Sequence, residues 1–452
     1  MTANPRILHL NAFLWDVGHH EAAWRLPDAD PVAVWDVEHF KNLARIAERG
    51  KLDSLFLADS PMLQNDPGRR PPGALEPTVL LTALAGVTEH IGLIATASTS
   101  YNEPFNLARR FASLDLVSRG RAGWNIVTTA GANAARNFGL DDVPLHKERY
   151  ERAEEFVEVA TKLWDSWSDD ATVADKANGV HTRADKVRKI HHKGRFFRVD
   201  GPLNSPRTLQ GWPLLVQAGS SEDGKAFAAR WAEAVFTAQQ TLEEARSFYA
   251  DLKARAAALG RDPDGIKILP GIVPVIGETE AEARDLEDQL ERLINPEYAR
   301  LQLAKTLRVH PDALVLDEQL PDDLPGEDDI EGAKSRYTLV VELARREHLT
   351  VRQLIARLGG GRGHRMFTGT PLQVADAIEE WVDHGAADGF NIMPAVLPSG
   401  LEAFVDKVVP ILQERGRFRT EYDGATLRDH YGLPRPANQF DASSSVDAGA
   451  TA

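Results

Sequence analysis

The chain has 452 residues, 43% hydrophobic and 26% charged, as in an ordinary soluble globular protein. It contains no cysteine, which excludes disulfides, thiolate nucleophiles and Cys-ligated metals. A formal charge of −15 argues against nucleic acid as a partner, because affinity for a phosphate backbone rests on Lys and Arg.

Apolar runs and helical patterns alternate from the start. ILHLNAFL (7–14) is the first strand-like run, and VWDVEHFKNLARIAERG after it has helical periodicity. SLFLADS (54–60), IGLIATAST (91–99) and AGWNIVTT (122–129) follow, with FNLARRFASLDLVSRG before the fourth run and KERYERAEEFVEVATKLWDSW after it. PLLVQAGS (213–220), AEAVFTAQ (232–239), ILPGIVPVIG (268–277) and FNIMPAVL (390–397) complete the set, with TLEEARSFYADLKARAAALG and PLQVADAIEEWVDHGA among the helical stretches between them. Gly50, Gly120, Gly260 and Gly385 close such stretches, as a left-handed C-cap prefers. Most strand runs are apolar throughout, which suits parallel strands covered on both faces. Eight strand-then-helix units predict an α/β fold, a (β/α)8 TIM barrel. Pro270, Pro274 and Pro394 count against the seventh and eighth strands.

Two insertions interrupt the pattern within what reads as a single domain, 1–440. Residues 168–212, after the fourth strand, carry the basic HTRADKVRKIHHKGRFFRVDG, a run that usually forms only a solvated face. Residues 294–368, after the seventh, carry LDEQLPDDLPGEDD and GGGRG. Insertions of this length tend to be lids or subunit contacts. A C-terminal extension follows the eighth strand, and the tail 441–452 is expected to be disordered. No apolar stretch approaches the ~20 residues of a membrane span. The first residues lack a signal peptide's basic start, apolar core and cleavage site, so a cytoplasmic location is expected.

In such a barrel the working residues stand at the C-terminal strand ends. Those ends offer Asn11, Asp59, Thr96 to Thr99, Asn125, Thr128, Thr129, Gln217, Ser220, Ser221, Gln239 and Asn391. The set is rich in amides and hydroxyls, has no converging carboxylate pair for glycoside hydrolysis, and has no three ligands for a metal. It suits a large polar ligand held by neutral hydrogen bonds.

QAGSSEDGKAF matches most of a P-loop through Gly219, Gly224 and Lys225, but Ala226 stands where a hydroxyl must ligate Mg²⁺. Ser220 and Ser221 could hold one phosphate at a helix N-terminus, or could simply cap the helix. In VPLHKERYERAEEF, a helix starting near Pro144 puts His146 and Tyr150 on one face, ready to bond a cofactor or merely exposed and half-buried. The pairs His19–His20 and His191–His192 do not converge on a metal, since adjacent side chains diverge. VGHHEAAWRLP places His19, His20, Trp24 and Arg25 on a substrate-facing loop or an ordinary surface loop.

GRAGWNIVTTAGANAARNFG followed by HKERYERAEEFVEVATKLWDSW closely resembles the bacterial-luciferase-like flavin-dependent monooxygenases. The closest subgroup is that of nitrilotriacetate monooxygenase component A, with the EDTA, dibenzothiophene-sulfone and long-chain alkane monooxygenases. VGHHEAAWR, FLADS, ATASTSYNEPFNLARRFASLDLVSRGR, HHKGRFFRVDGPLNSPRTLQGWPLLVQAGSSEDG and FTGTPLQVADAIEEWVDHGAADGFNI extend the match over most of 7–415. The resemblance implies reduced FMN (FMNH2) from a separate NAD(P)H:FMN reductase. It also implies insertion of one oxygen atom from O2 into a small organic substrate through a flavin C4a-(hydro)peroxide, and a homodimer or homotetramer. Carried over by motif, Asp59, Thr96, Ser98 and Asn125 would contact the isoalloxazine and ribityl groups. His146 and Tyr150 would lie beside the flavin's polar chain, and Ser220 and Ser221 would bind its phosphate. In the mechanism the resemblance implies, His19 or His20, with His20 the candidate, could stabilise the peroxide or donate a proton. Competing readings are an F420-dependent oxidoreductase of the same superfamily, a non-catalytic flavin-binding protein and, last, a P-loop NTPase.

Overall fold

A computed structural model of the chain describes residues 6–63, 66–71, 73, 75–326, 334–361 and 363–441. Each of the eight apolar runs contains one strand: β1 (His9–Leu14), β2 (Ser54–Leu57), β3 (Gly92–Ser98), β4 (Ala122–Val127), β5 (Leu214–Gln217), β6 (Ala234–Thr237), β7 (Lys267–Ile276) and β8 (Gly389–Ile392). All pair in parallel, each with the next, and β8 returns to β1 through His9↔Gly389, closing an eight-stranded TIM barrel.

Helices cover the outside: α1 (Val37–Arg49), α2 (Pro77–Ala85), α3 (Pro104–Val117), α4 (His146–Trp164), α5 (Glu222–Trp231), α6 (Leu242–Ala258) and α7 (Glu280–Arg292). In α4, Ala153, Phe156, Val157, Ala160, Leu163 and Trp164 recur at helical spacing and are buried, which fixes the face turned to the barrel. Apolar packing on both faces of the sheet explains why the strand runs do not alternate.

Inside the barrel, Phe13, Phe56 and Phe236 form an aromatic layer with ring centroids 4.9 to 5.5 Å apart. A polar layer accompanies it. Asn11 donates from Nδ2 to Asn391 Oδ1 at 2.9 Å, and Asn11 Oδ1 accepts from Ser54 Oγ at 2.8 Å and Tyr431 Oη at 2.7 Å. Asn11 and Asn391 are therefore interior residues rather than rim residues, a correction to their placement from sequence. The C-terminal extension fills this part of the barrel. Leu427 lies where a Cβ on Gly92 would come within 2.2 Å of its Cδ1, and one on Gly123 within 3.3 Å of its Cδ2.

Pro270 is the last residue of β7 paired with β6, and Pro394 falls beyond β8, so neither breaks the ladder centrally. Pro274 faces Phe367 of an additional strand, Arg365–Gly369, that the sequence did not suggest. Gly120, Gly260 and Gly385 take left-handed turns, but Gly50 has φ −74 and Lys51 (φ 59) turns the chain instead. Gly50 is needed for clearance: a Cβ there would lie 2.7 Å from Val405 Cγ2.

The first insertion forms two small hairpins, Thr172–Asp175 with Val180–Thr182 and His192–Lys193 with Arg198–Val199. Its basic groups are paired: Lys189 and His191 with Asp200, Arg195 with Glu151, His192 with Glu155. The second insertion carries α8 (Pro296–Leu307), α9 (Lys334–Arg346) and α10 (Val351–Gly361), packed around Leu303, Leu307, Tyr337, Leu343 and Leu354. It docks on the barrel mouth through Glu21 N–H to Gly359 O (2.9 Å) and Arg346 to Glu244 (2.6 Å). Among the described residues no helix is long and apolar enough to cross a membrane. Of the expected tail 441–452, Asp441 is instead held by Ser168 (2.9 Å) and Arg188 (3.0 Å), and the rest, from 442 onward, lies outside the described residues.

Candidate active site

The C-terminal ends of β5 and β6, the first turns of α5 and α6 and the inner side of α9 enclose a cleft of 1420 Å³. His146, Ser220 and Ser221 line it. The α5 N-terminus is built for this position. Ser221 Oγ accepts from Gly224 N at 3.2 Å, so the capping role open from sequence is filled by Ser221 and not by Ser220. The two acids of its first turn are engaged elsewhere. Asp223 pairs with His146 Nδ1 at 2.8 Å, and Glu222 with Lys225 and Arg255. Lys225 is also held by Asp251 at 2.8 Å, which leaves the P-loop reading without its phosphate lysine.

Two glycines keep the loop open. A Cβ on Gly219 would lie 2.4 Å from Gln217 Nε2, and one on Gly224 would lie 3.1 Å from both Ser221 Oγ and Tyr150 Oη. Tyr150 thus stands behind the loop, its ring 5.0 Å from that of His146, and burial raises its pKa.

At the end of β4, Asn125 donates from Nδ2 to Thr96 Oγ1 at 2.8 Å. Its Oδ1 is buried without a hydrogen-bond partner, and so is Oε1 of Gln217 on the neighbouring strand. Buried orphan acceptors are costly, and each marks a place for a donor: that of Asn125 on the inner face of the wall with Val216, that of Gln217 on the outer face beside Gly219. Ser98 is committed to its own loop, with Oγ accepting from Thr129 Oγ1 (2.8 Å) and Ser100 N (3.1 Å). Asp59 stands at the lip of the loop after β2, with its pKa raised, first by loss of water around its carboxylate and then by the charge of Glu76. The loop after β4 rests on that lip through Asn137 Nδ2 to Pro61 O at 3.0 Å.

The paired histidines have separate surroundings. His19 Nε2 meets Phe13 O at 2.9 Å. His20 is 2% exposed, and its Nδ1 accepts from Ala22 N at 3.1 Å. Burial, then the charge of Arg70, lower its pKa to about 3. The ring is therefore neutral with its proton on Nε2, a donor with no partner. Of the site residues the resemblance implies, only His146, Ser220 and Ser221 line this cleft; Asp59, Thr96, Ser98, Asn125, Tyr150 and His20 do not. Sequence reasoning missed Arg336 and His364, which the second insertion brings to the cleft; neither carries a local motif. Among the described residues no group of three His, Asp or Glu could hold a metal.

These features suit a flavin mononucleotide. The helix N-terminus with two hydroxyls fits a phosphate, and the orphan acceptor of Asn125, on the inner face, fits an N–H donor of a ring system.

Residues 18–388 match the luciferase-like monooxygenase family. The chain is 50% identical over 441 residues to N-acetyl-S-(2-succino)cysteine monooxygenase of Bacillus subtilis, covering 97% of this chain and 100% of that one. It is 49% identical to nitrilotriacetate monooxygenase component A of Aminobacter aminovorans, over 94% of this chain and 96% of the other. A solved riboflavin lyase, with modified FMN and its substrate riboflavin, superposes with a TM-score of 0.84 at 32% identity, over 95% and 97% of the two chains. The chain belongs to the luciferase-like monooxygenase family and is a flavin-dependent monooxygenase.

Proposed function

We propose that this protein is the oxygenase component of a two-component system. In this reading it takes FMNH2 from a separate NAD(P)H:FMN reductase and, with O2, inserts one oxygen atom into a small organic substrate. The observation that carries the reading is the α5 N-terminus, with Ser220, Ser221 and its glycine cradle, lining the cleft beside the orphan acceptor of Gln217. The relative named as a component A, and the solved relative holding modified FMN, support it.

Bound reduced flavin supplies the electrons that activate O2. The residues supply the rest. Ser220 and Ser221 donate to the phosphate, with Tyr150 backing Ser221. Asn125, oriented by Thr96, accepts from the ring through Oδ1. Asp59 at the lip faces the polar edge. The β4 loop, tied to the lip through Asn137 and Pro61, would cover the bound flavin and exclude water. His20, kept neutral, would donate a hydrogen bond from Nε2–H to a developing oxyanion without giving up its proton.

The test is a reconstitution. The purified protein alone should show no NADH oxidase activity. With a flavin reductase, FMN and O2 it should convert a screened carboxylate, sulfur or alkane substrate. Vigorous NADH oxidation without reductase would refute the two-component part. Turnover with reduced F420 in the absence of O2 would replace the reading with a hydride-transferring one. Tight flavin binding without product across the screen would replace it with a flavin-binding protein.

A further inference from the structure

Arg336 lies on α9, in the second insertion, and lines the cleft with Gln240 and His364. Its Nη1 is sealed from solvent and has no hydrogen-bond partner. Other cations of the cleft are neutralised: Arg346 by Glu244 at 2.6 Å and Lys225 by Asp251 at 2.8 Å. Among the described residues no carboxylate pairs with Arg336, and burial alone acts on its pKa, lowering it. Gly363 makes room for the guanidinium: it has φ +88, and a Cβ there would lie 2.7 Å from Nη1. Gln240 Nε2 holds the Gly363 carbonyl at 2.5 Å, fixing that wall. A guanidinium nitrogen sealed in this way is destabilising unless an acceptor or counter-charge arrives. In a chain carrying −15, a side chain could readily have supplied one.

We infer that Arg336 is the substrate-recognition residue of the cleft and binds a carboxylate of the substrate. This rests on the monooxygenase reading above. A planar fork of N–H donors matches a carboxylate in bidentate fashion and is specific for it in a way a lone ammonium is not. The flavin phosphate is the other oxyanion that could reach a cation here, but Ser220 and Ser221 at the α5 N-terminus already provide for it. The recognition residue would thus come from an insertion, leaving the barrel ends to the flavin.

The test uses the full chain loaded with oxidised FMN, titrated calorimetrically with succinate, tricarballylate and succinamide, in wild type, Arg336→Met and Arg336→Lys. Carboxylates should bind wild type and the amide should not. Arg336→Met should weaken carboxylate binding at least about tenfold, the loss of one charge-assisted contact, and Arg336→Lys should recover part of it. FMN affinity should not change. Without ligand, Arg336→Met should melt about 1 °C or more above wild type, because an unpaired cation has been removed. Equal binding of amide and carboxylate, wild-type carboxylate binding by Arg336→Met, or a lower melting point would overturn the inference. Loss of the affinity difference between FMN and riboflavin in Arg336→Met would assign the guanidinium to the phosphate and also overturn it. Failure of wild type to bind either flavin would instead overturn the reading of function.

Discussion

Ser220 and Ser221 are adjacent, yet the structure gives them different duties, and a pair of single substitutions separates them. Ser221 Oγ caps a ten-residue helix by accepting from Gly224 N at 3.2 Å, whereas Ser220 caps nothing. Ser220→Ala should therefore leave stability unchanged and remove one hydrogen bond to a dianion. Such a bond contributes about 1.5 to 3 kcal/mol, so the Kd for FMN should rise roughly 10- to 150-fold. Riboflavin, which has no phosphate, should bind as before. Ser221→Ala should show a similar loss toward FMN and, in addition, forfeit about 1 kcal/mol of capping. At the usual entropy of unfolding per residue, that is about 1 °C in a chain of this length. Fluorescence titration with the two flavins and a thermal melt of each variant supply the six numbers. Equal weakening of FMN and riboflavin in Ser220→Ala would refute the phosphate role. Equal destabilisation by the two substitutions would refute the division of labour.

Three further expectations concern other residues. Asn125→Ala should weaken FMN and riboflavin equally, by about fivefold for a neutral hydrogen bond, because its orphan Oδ1 is assigned to the ring; a phosphate-dependent difference in titration would contradict that. Tyr150→Phe should lower the product formed per flavin oxidised, measured as substrate oxygenated against NADH consumed with reductase present; unchanged coupling would remove Tyr150 from the site. His20 has a folded pKa near 3 against an ordinary 6.5, so protonation favours the unfolded chain. Stability is then full above pH 6.5 and is lost as pH falls toward 3, by roughly 2 to 3 kcal/mol at pH 4.5. Melts of His20→Gln against pH should lack that slope below 6.5, and an unaltered acid limb would show that His20 is not its source.

The barrel was legible because burial on both faces writes each strand as an unbroken apolar run, bounded by glycines and helical periodicity. The additional strand Arg365–Gly369 was not, since it is short, half-buried and paired only along the upper half of β7. Asn11 and Asn391 were placed at the rim because a run's composition gives the direction of a strand but not the depth at which a tilted barrel sets each residue. The Ser220–Ser221 loop, His146 and Tyr150 could be found through local spacing, and the helix does start at His146. The orphan acceptor of Gln217 depends on what surrounds it, which no local pattern records. Arg336 and His364 come from an insertion whose docking is set by contacts far away in sequence, so nothing near them signals a cleft.

The polar layer inside the barrel ties residues made at opposite ends of synthesis. Asn11 receives the Tyr431 hydroxyl across 420 positions, and β1 obtains its second neighbour only from β8. At ordinary translation rates roughly 20 to 80 s separate the two ends on the ribosome. During that interval β1 has one open edge and Asn11 lacks its last donor. A nascent chain stalled before residue 389 would expose an unpaired apolar strand, the kind of edge that recruits other strands. Its final forty or so described residues then act as a completion check, engaging the interior of the barrel only once all eight strands are available to receive them.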